Sequence, residues 1–290
     1  MSISPISASR PKVVLLHGLA STPKEFSLMV HPLRRLGVTL LTPEVPGFTH
    51  GSLPATARWQ DWVSAATDSV EAAVGPSPEP YVLGGLCTGA MLAVSVAASR
   101  PAGLQGLALL SPLFSYDGWG LPWWYVLRHL GYLLRLERYF SMHERPPYGL
   151  KNERMRDRIR QQMESEGATL VGPSQVSLQV IRESERLSRH VIALLPRLAL
   201  PVLALHARED EICRLSSVQA ALSAVPSQWL QLRVIENSFH MITVDNDRQQ
   251  VAEELAAFVT TLVSLRARVS TPISEVSAEG EPTLASDRHA

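Results

Sequence analysis

The sequence predicts an α/β protein: a mostly parallel sheet flanked by helices, with a helical lid inserted between two of the strands. Three observations carry this. Short apolar runs alternate with segments of helical periodicity, small or turn-forming residues close the runs, and the alternation breaks once, over about a quarter of the chain.

Lys12 to Leu16 is the first apolar run and ends in His17-Gly18-Leu19-Ala20. Thr22-Pro23-Lys24-Glu25 follows as a helix start, with Thr22 as cap, proline at the first helical position and Glu25 completing a capping box. Val38 to Leu41 is the second strand, closed by Pro43, Pro46 and Gly47. Trp59 to Val74 has helical spacing and stops at Gly75-Pro76-Ser77-Pro78. Tyr81 to Gly84 is a strand, Thr88 to Ser99 the helix behind it, and Leu107 to Leu110 the next strand, ending at Ser111-Pro112.

From about Ser115 to His190 the regular alternation lapses into an aromatic-rich and then arginine-rich stretch, read as the helical lid. It resumes with the strand Val202 to His206, a helix from Ser216 to Val225, the strand Leu230 to Ile235 and a last helix from Arg248 to Leu262. The expected organisation is therefore a core in two parts, 1–114 and 191–265, with the lid at 115–190. A Ser-, Thr-, Pro-, Glu- and Ala-rich tail at 266–290 is expected to be disordered.

Composition limits the function classes. A chain of 290 residues that is 46% apolar can bury a large core. Its 27 basic and 27 acidic residues cancel, which gives no general attraction to nucleic acid. The two cysteines, Cys87 and Cys213, are too few for a disulfide scaffold and have no ligand spacing for zinc, so no metal or organic cofactor is expected. A short polar start and the lack of a long apolar run point to a cytoplasmic protein.

The chemistry centres on Gly85-Leu86-Cys87-Thr88-Gly89, placed between a strand and a helix. A strand-to-helix turn of this kind is a nucleophile elbow: it pushes one side chain out of the sheet, and small residues at i−2 and i+2 let the backbone turn and the helix approach. Gly85 and Gly89 meet that need around Cys87. His240 follows the last strand and suits a general base. One of Glu209, Asp210 and Glu211, which follow the preceding strand, would orient it. The backbone N–H groups of Leu19 and Thr88 are expected to form an oxyanion hole, with His17 structural.

In the lid, Trp119, Trp123, Trp124 and Tyr125 can line an acyl-binding cleft or pack the lid on the core. Arg154, Arg156 and Arg158 lie in a stretch of net positive charge. That stretch suits an acyl carrier protein, the phosphates of a coenzyme A thioester or a peripheral lipid surface, and equally a plain solvated helix face.

With these motifs in order, the chain resembles the α/β-hydrolase superfamily over Val13 to Val259, and within it small bacterial carboxylesterases and monoacylglycerol-lipase-like enzymes. The likeness rests on His17-Gly18, on Gly85 through Gly89, on Ala207-x-x-Asp210, and on Asn237-Ser238-Phe239-His240 continuing through Asp245 and Asp247. It implies that Cys87 stands at the nucleophile position, Asp210 at the acid and His240 at the base, with Leu19 and Thr88 at the oxyanion positions. Cysteine in place of serine also resembles dienelactone hydrolases and polyhydroxyalkanoate synthases. The resemblance therefore implies a cysteine-dependent hydrolase of carboxylic esters or acyl thioesters, working through a Cys-His-Asp triad and an acyl-enzyme. The alternative is an acyltransferase from a coenzyme A or carrier-protein thioester to an alcohol, amine or thiol.

Overall fold

The computed structural model describes residues 10–270 apart from 55, 167, 170, 171 and 174. Six strands form one parallel sheet: β1 (Lys12–Leu16), β2 (Thr39–Leu41), β3 (Tyr81–Leu86), β4 (Leu104–Leu110), β9 (Val202–Ala207) and β10 (Leu230–Ile235), in the spatial order β10-β9-β4-β3-β1-β2. Successive residues point to opposite faces. Val14, Leu16, Leu83, Leu107 and Ala204 enter one apolar cluster, while Val13, Leu15, Val82, Ala108 and Leu203 enter the other. Both faces are thus dry, which is why the central strands lack polar alternation.

Helices α1 (Ser27–Arg35) and α8 (Arg248–Ser270) cover one face. On the other lie α2 (Trp59–Val74), α3 (Thr88–Ala97), α6 (Leu178–Leu194) and α7 (Leu215–Leu222). All ten residues of α3 are buried, because the helix is enclosed by the sheet on one side and by α2 and α6 on the other. This is the α/β-hydrolase fold that the sequence predicts, with its helical insertion after β4.

The insertion holds α4 (Arg128–Leu133), α5 (Glu153–Glu166) and two short antiparallel pairs, β5 (Ser141–His143) with β8 (Gln175–Ser177) and β6 (Ala168–Thr169) with β7 (Gly172–Pro173). Helix α6 starts in the expected lid but runs past residue 190 into the core, where Val180, Leu187 and Val191 are buried. The last helix also continues beyond the expected end at Leu262, through Ser270; residues 271–290 lie outside the described residues. The first helix start differs too. Thr22 accepts from the Lys24 N–H at 3.4 Å as a cap should, but Glu25 turns inward and closes no capping box.

Candidate active site

Residue 87 sits at the crossing of β3 and α3. Cys87 has φ 58° and ψ −121°, a conformation that costs a residue with a β-carbon on the order of 1–3 kcal/mol, and its N–H is fixed to the Leu110 carbonyl at 3.0 Å. The flanking glycines are required by close approach. A β-carbon on Gly89 would stand 2.1 Å from the Leu16 carbonyl oxygen, and one on Gly85 would stand 2.3 Å from the backbone of Gly89. No larger residue fits between β1, β3 and α3.

The acid and the histidine come from neighbouring strands. Loops after β9 and β10 bring Asp210 and His240 together, and the His240 Nδ1–H donates to Asp210 Oδ2 at 2.7 Å. Asp210 Oδ1 accepts the N–H groups of Ile212 and Cys213, each at 2.9 Å. Burial opposes its charge, but His240, these donors and His206, 3.5 Å from Oδ2, hold the carboxyl below its usual range. For His240, burial favours the neutral ring, yet the Asp210 carboxylate and then Cys87 outweigh it and hold its proton affinity well above the ordinary value. Its Nε2 is buried with no hydrogen-bond partner among the described residues. Glu211 does not share this ring contact: its Oε2 accepts the His240 backbone N–H at 3.1 Å, and burial pushes its carboxyl up to about 7.

Leu19 lies on the cavity wall, and the loop that carries it packs against residue 87: a β-carbon on Gly18 would be 3.6 Å from that of Cys87. Thr88 is the first residue of α3, where N–H groups lack helical acceptors, and its hydroxyl lies 3.3 Å from that of Ser184 on α6. His17 donates from Nδ1 to the Gly18 carbonyl at 2.9 Å, which leaves Nε2 to accept from Thr49 at 2.8 Å. Burial lowers its pKa to about 4, so it is a neutral structural ring.

Between this floor and the lid lies a cavity of about 170 Å³, lined by Cys87, His240 and Leu19 from the core and by Tyr116, Leu121, Tyr125, Met142 and Tyr148 from the lid, among others. Of the four lid aromatics that the sequence offers for a cleft, Tyr125 lines it. Trp119 turns away, with its indole N–H on the Glu209 carbonyl at 3.0 Å; Trp123 is 85% exposed; and Trp124 lies beneath Arg145. The three arginines on α5 also part company. Arg154 and Arg158 are exposed, while Arg156 is bound to the carbonyls of Leu150 and Lys151 at 3.2 and 3.1 Å.

Two carboxylates named on local pattern, Asp245 and Glu25, make buried contacts that the pattern does not signal. Asp245 accepts the N–H groups of Lys151 at 2.7 Å, Asn152 at 2.9 Å and Phe239 at 2.9 Å, which ties the returning lid segment to the histidine loop. Glu25 reaches the wall of the cavity from the loop after β1. Among the described residues no cluster of three or more His, Cys, Asp or Glu side chains is arranged to hold a metal ion, and no helix is long and apolar enough to cross a membrane.

Comparison with known proteins gives one family model, described as serine aminopeptidase, S33, which matches residues 7–247. No curated protein sequence matches significantly. Among solved structures, a monoacylglycerol lipase of Paleococcus ferrophilus is 19% identical with a TM-score of 0.65, covering 87% of this chain and 94% of its own. A soluble variant of monoglyceride lipase from Saccharomyces cerevisiae is 16% identical with a TM-score of 0.69, covering 89% and 88%. A structure described with the metagenome-derived lipolytic enzymes LipS and LipT is 21% identical with a TM-score of 0.65, covering 87% and 94%.

These findings correct the expected subfamily and chemistry. The matching family is serine-based, and none of these structures is a dienelactone hydrolase or a polyhydroxyalkanoate synthase. The cysteine-dependent hydrolase of esters or thioesters with its Cys-His-Asp triad, and the acyltransferase alternative, fall with that likeness. The physical reason is local: sulfur for oxygen at residue 87 changes one atom on an elbow whose backbone suits either, and one atom says nothing about the acceptor. The family match spans most of the chain.

Proposed function

The chain belongs to the serine aminopeptidase (S33) family, and from this we propose that it hydrolyses carboxylic esters by the family's α/β-hydrolase mechanism. The proposed site is position 87, held here by Cys87, with His240, Asp210 and the N–H groups of Leu19 and Thr88. One observation carries the reading. His240 is held by Asp210 on one ring nitrogen, while the other is buried without a partner in the same cavity that residue 87 lines. Such an imidazole can take a proton from the attacking group and return it to the leaving alcohol. The two N–H groups supply the charge stabilisation that a tetrahedral oxyanion needs. The enclosing wall is mostly apolar, which suits an alkyl or aryl ester more than a peptide terminus.

The outer face of the lid refines the substrate class. Trp123, Leu127, Leu130 and Leu133 are exposed there, 85%, 57%, 52% and 78%, in the same segment as Arg135 and Arg138. Apolar side chains flanked by cations fit an anionic lipid surface, and this favours esters presented in a lipid phase. The test is a panel of p-nitrophenyl acyl esters against aminoacyl p-nitroanilides, with the esters also presented in anionic vesicles. Ester turnover, faster on vesicles than in solution, is the expected result. Turnover of the anilides alone would overturn the ester reading, and equal rates with and without vesicles would overturn the lipid-phase refinement.

A further inference from the structure

Glu25 is 1% exposed and lines the cavity, a costly place for a carboxyl unless it is bonded. It is bonded twice to the loop that follows β1. Oε1 accepts the Gly18 N–H at 2.7 Å, and Oε2 lies 2.6 Å from the Ser21 hydroxyl. These two residues bracket Leu19 and Ala20. The Ser21 N–H closes the turn on the Gly18 carbonyl at 3.1 Å, and the Ser21 carbonyl is anchored by the His50 N–H at 2.8 Å. Ala20 occupies the left-handed region at φ 52°, a conformation that a residue with a β-carbon holds only when its surroundings impose it. The Leu19 N–H itself has no acceptor among the described residues.

We infer that Glu25 is a positioning residue of the oxyanion hole, clamping Gly18 and Ser21 so that the Leu19 N–H between them is held toward the carbonyl under attack. The inference rests on the ester-hydrolase reading of the same site. It explains why a carboxyl tolerates this place. Burial, opposed in part by Ser21, Gly18 and His240, pushes its pKa up to about 8, which lessens the negative charge set beside the developing oxyanion near neutrality. The Gly18 N–H donates to Oε1 and the Ser21 hydroxyl donates to Oε2, so each carboxyl oxygen holds one end of the loop.

The test compares Glu25→Ala, Glu25→Gln and Ser21→Ala in the full chain, reading p-nitrophenyl butyrate hydrolysis and amide exchange at Leu19. Glu25→Ala is expected to lower kcat on the order of 10²-fold with KM within about threefold, because a misplaced oxyanion donor acts on the transition state alone. Glu25→Gln restores kcat to within about tenfold of the parent, since its carbonyl accepts from Gly18 and its amide donates to Ser21. Leu19 exchange quickens in the alanine form and returns toward the parent rate in the glutamine form. Ser21→Ala cuts one tie and lowers kcat roughly threefold to tenfold with KM unchanged, which keeps the inference open to refutation if Glu25→Ala does not fold. Unchanged kcat in both alanine variants, or a glutamine form no better than alanine, would overturn it. If the parent hydrolyses no ester, the functional reading fails by itself, and the Leu19 exchange contrast alone decides the role of Glu25.

Discussion

Asp210 shows how much one side chain is asked to do. One carboxylate oxygen orients His240 at 2.7 Å, and the other holds the N–H groups of Ile212 and Cys213, so the acid fixes its own loop and the ring tautomer together. Asp210→Asn keeps the shape but can present an N–H to Nδ1, which stabilises the wrong tautomer. Ester turnover is expected to fall on the order of 10³–10⁴-fold with little change in KM. Steady-state kinetics across pH 6–9 check this, and an unchanged kcat would remove Asp210 from the site. In sequence Asp210 stood among three consecutive acidic residues, and local pattern could not separate them. The structure does so by direction: Asp210 points at the ring, Glu211 at the His240 backbone, and Glu209 at Lys151, 2.6 Å away.

Among the elements, the strands and the sharp turn at residue 87 were legible because they rest on local pattern. Apolar runs, turn residues and two glycines suffice for them. The lid was visible as an interruption but not as an arrangement, since its contacts are long-range. Nothing near Tyr148 signals that Gly149 accepts the Met241 N–H at 2.9 Å, or that Asp245 gathers two lid N–H groups and one from the histidine loop. That carboxylate, 0% exposed, is the staple between lid and core. Asp245→Asn sets an amide N–H against a backbone N–H and forfeits charge-assisted bonds. The expected loss is on the order of 2 kcal/mol, or roughly 4–8 °C in Tm. Scanning calorimetry with amide exchange over residues 148–152 is the check; an unchanged Tm with slow exchange there would show that the lid is held elsewhere. Glu25 was misread for a related reason: a capping box is a local rule, and the partners that won are Gly18 and Ser21 in the turn after β1.

Across the whole molecule, a sheet dry on both faces fixes the floor of the site, and the insertion after β4 closes an apolar chamber over it. Residue 87 stands at the crossing of β3 and α3 on that floor, and the proposed chemistry is tested there. The decisive measurement is kcat for p-nitrophenyl butyrate in the parent, in Cys87→Ser, and in Cys87→Ser combined with His240→Ala. The serine form is expected to hydrolyse the ester at least as fast as the parent, and removing His240 is expected to lower its turnover by on the order of 10³-fold or more. A serine form without turnover beside an active parent, or turnover indifferent to His240, would contradict the proposed chemistry.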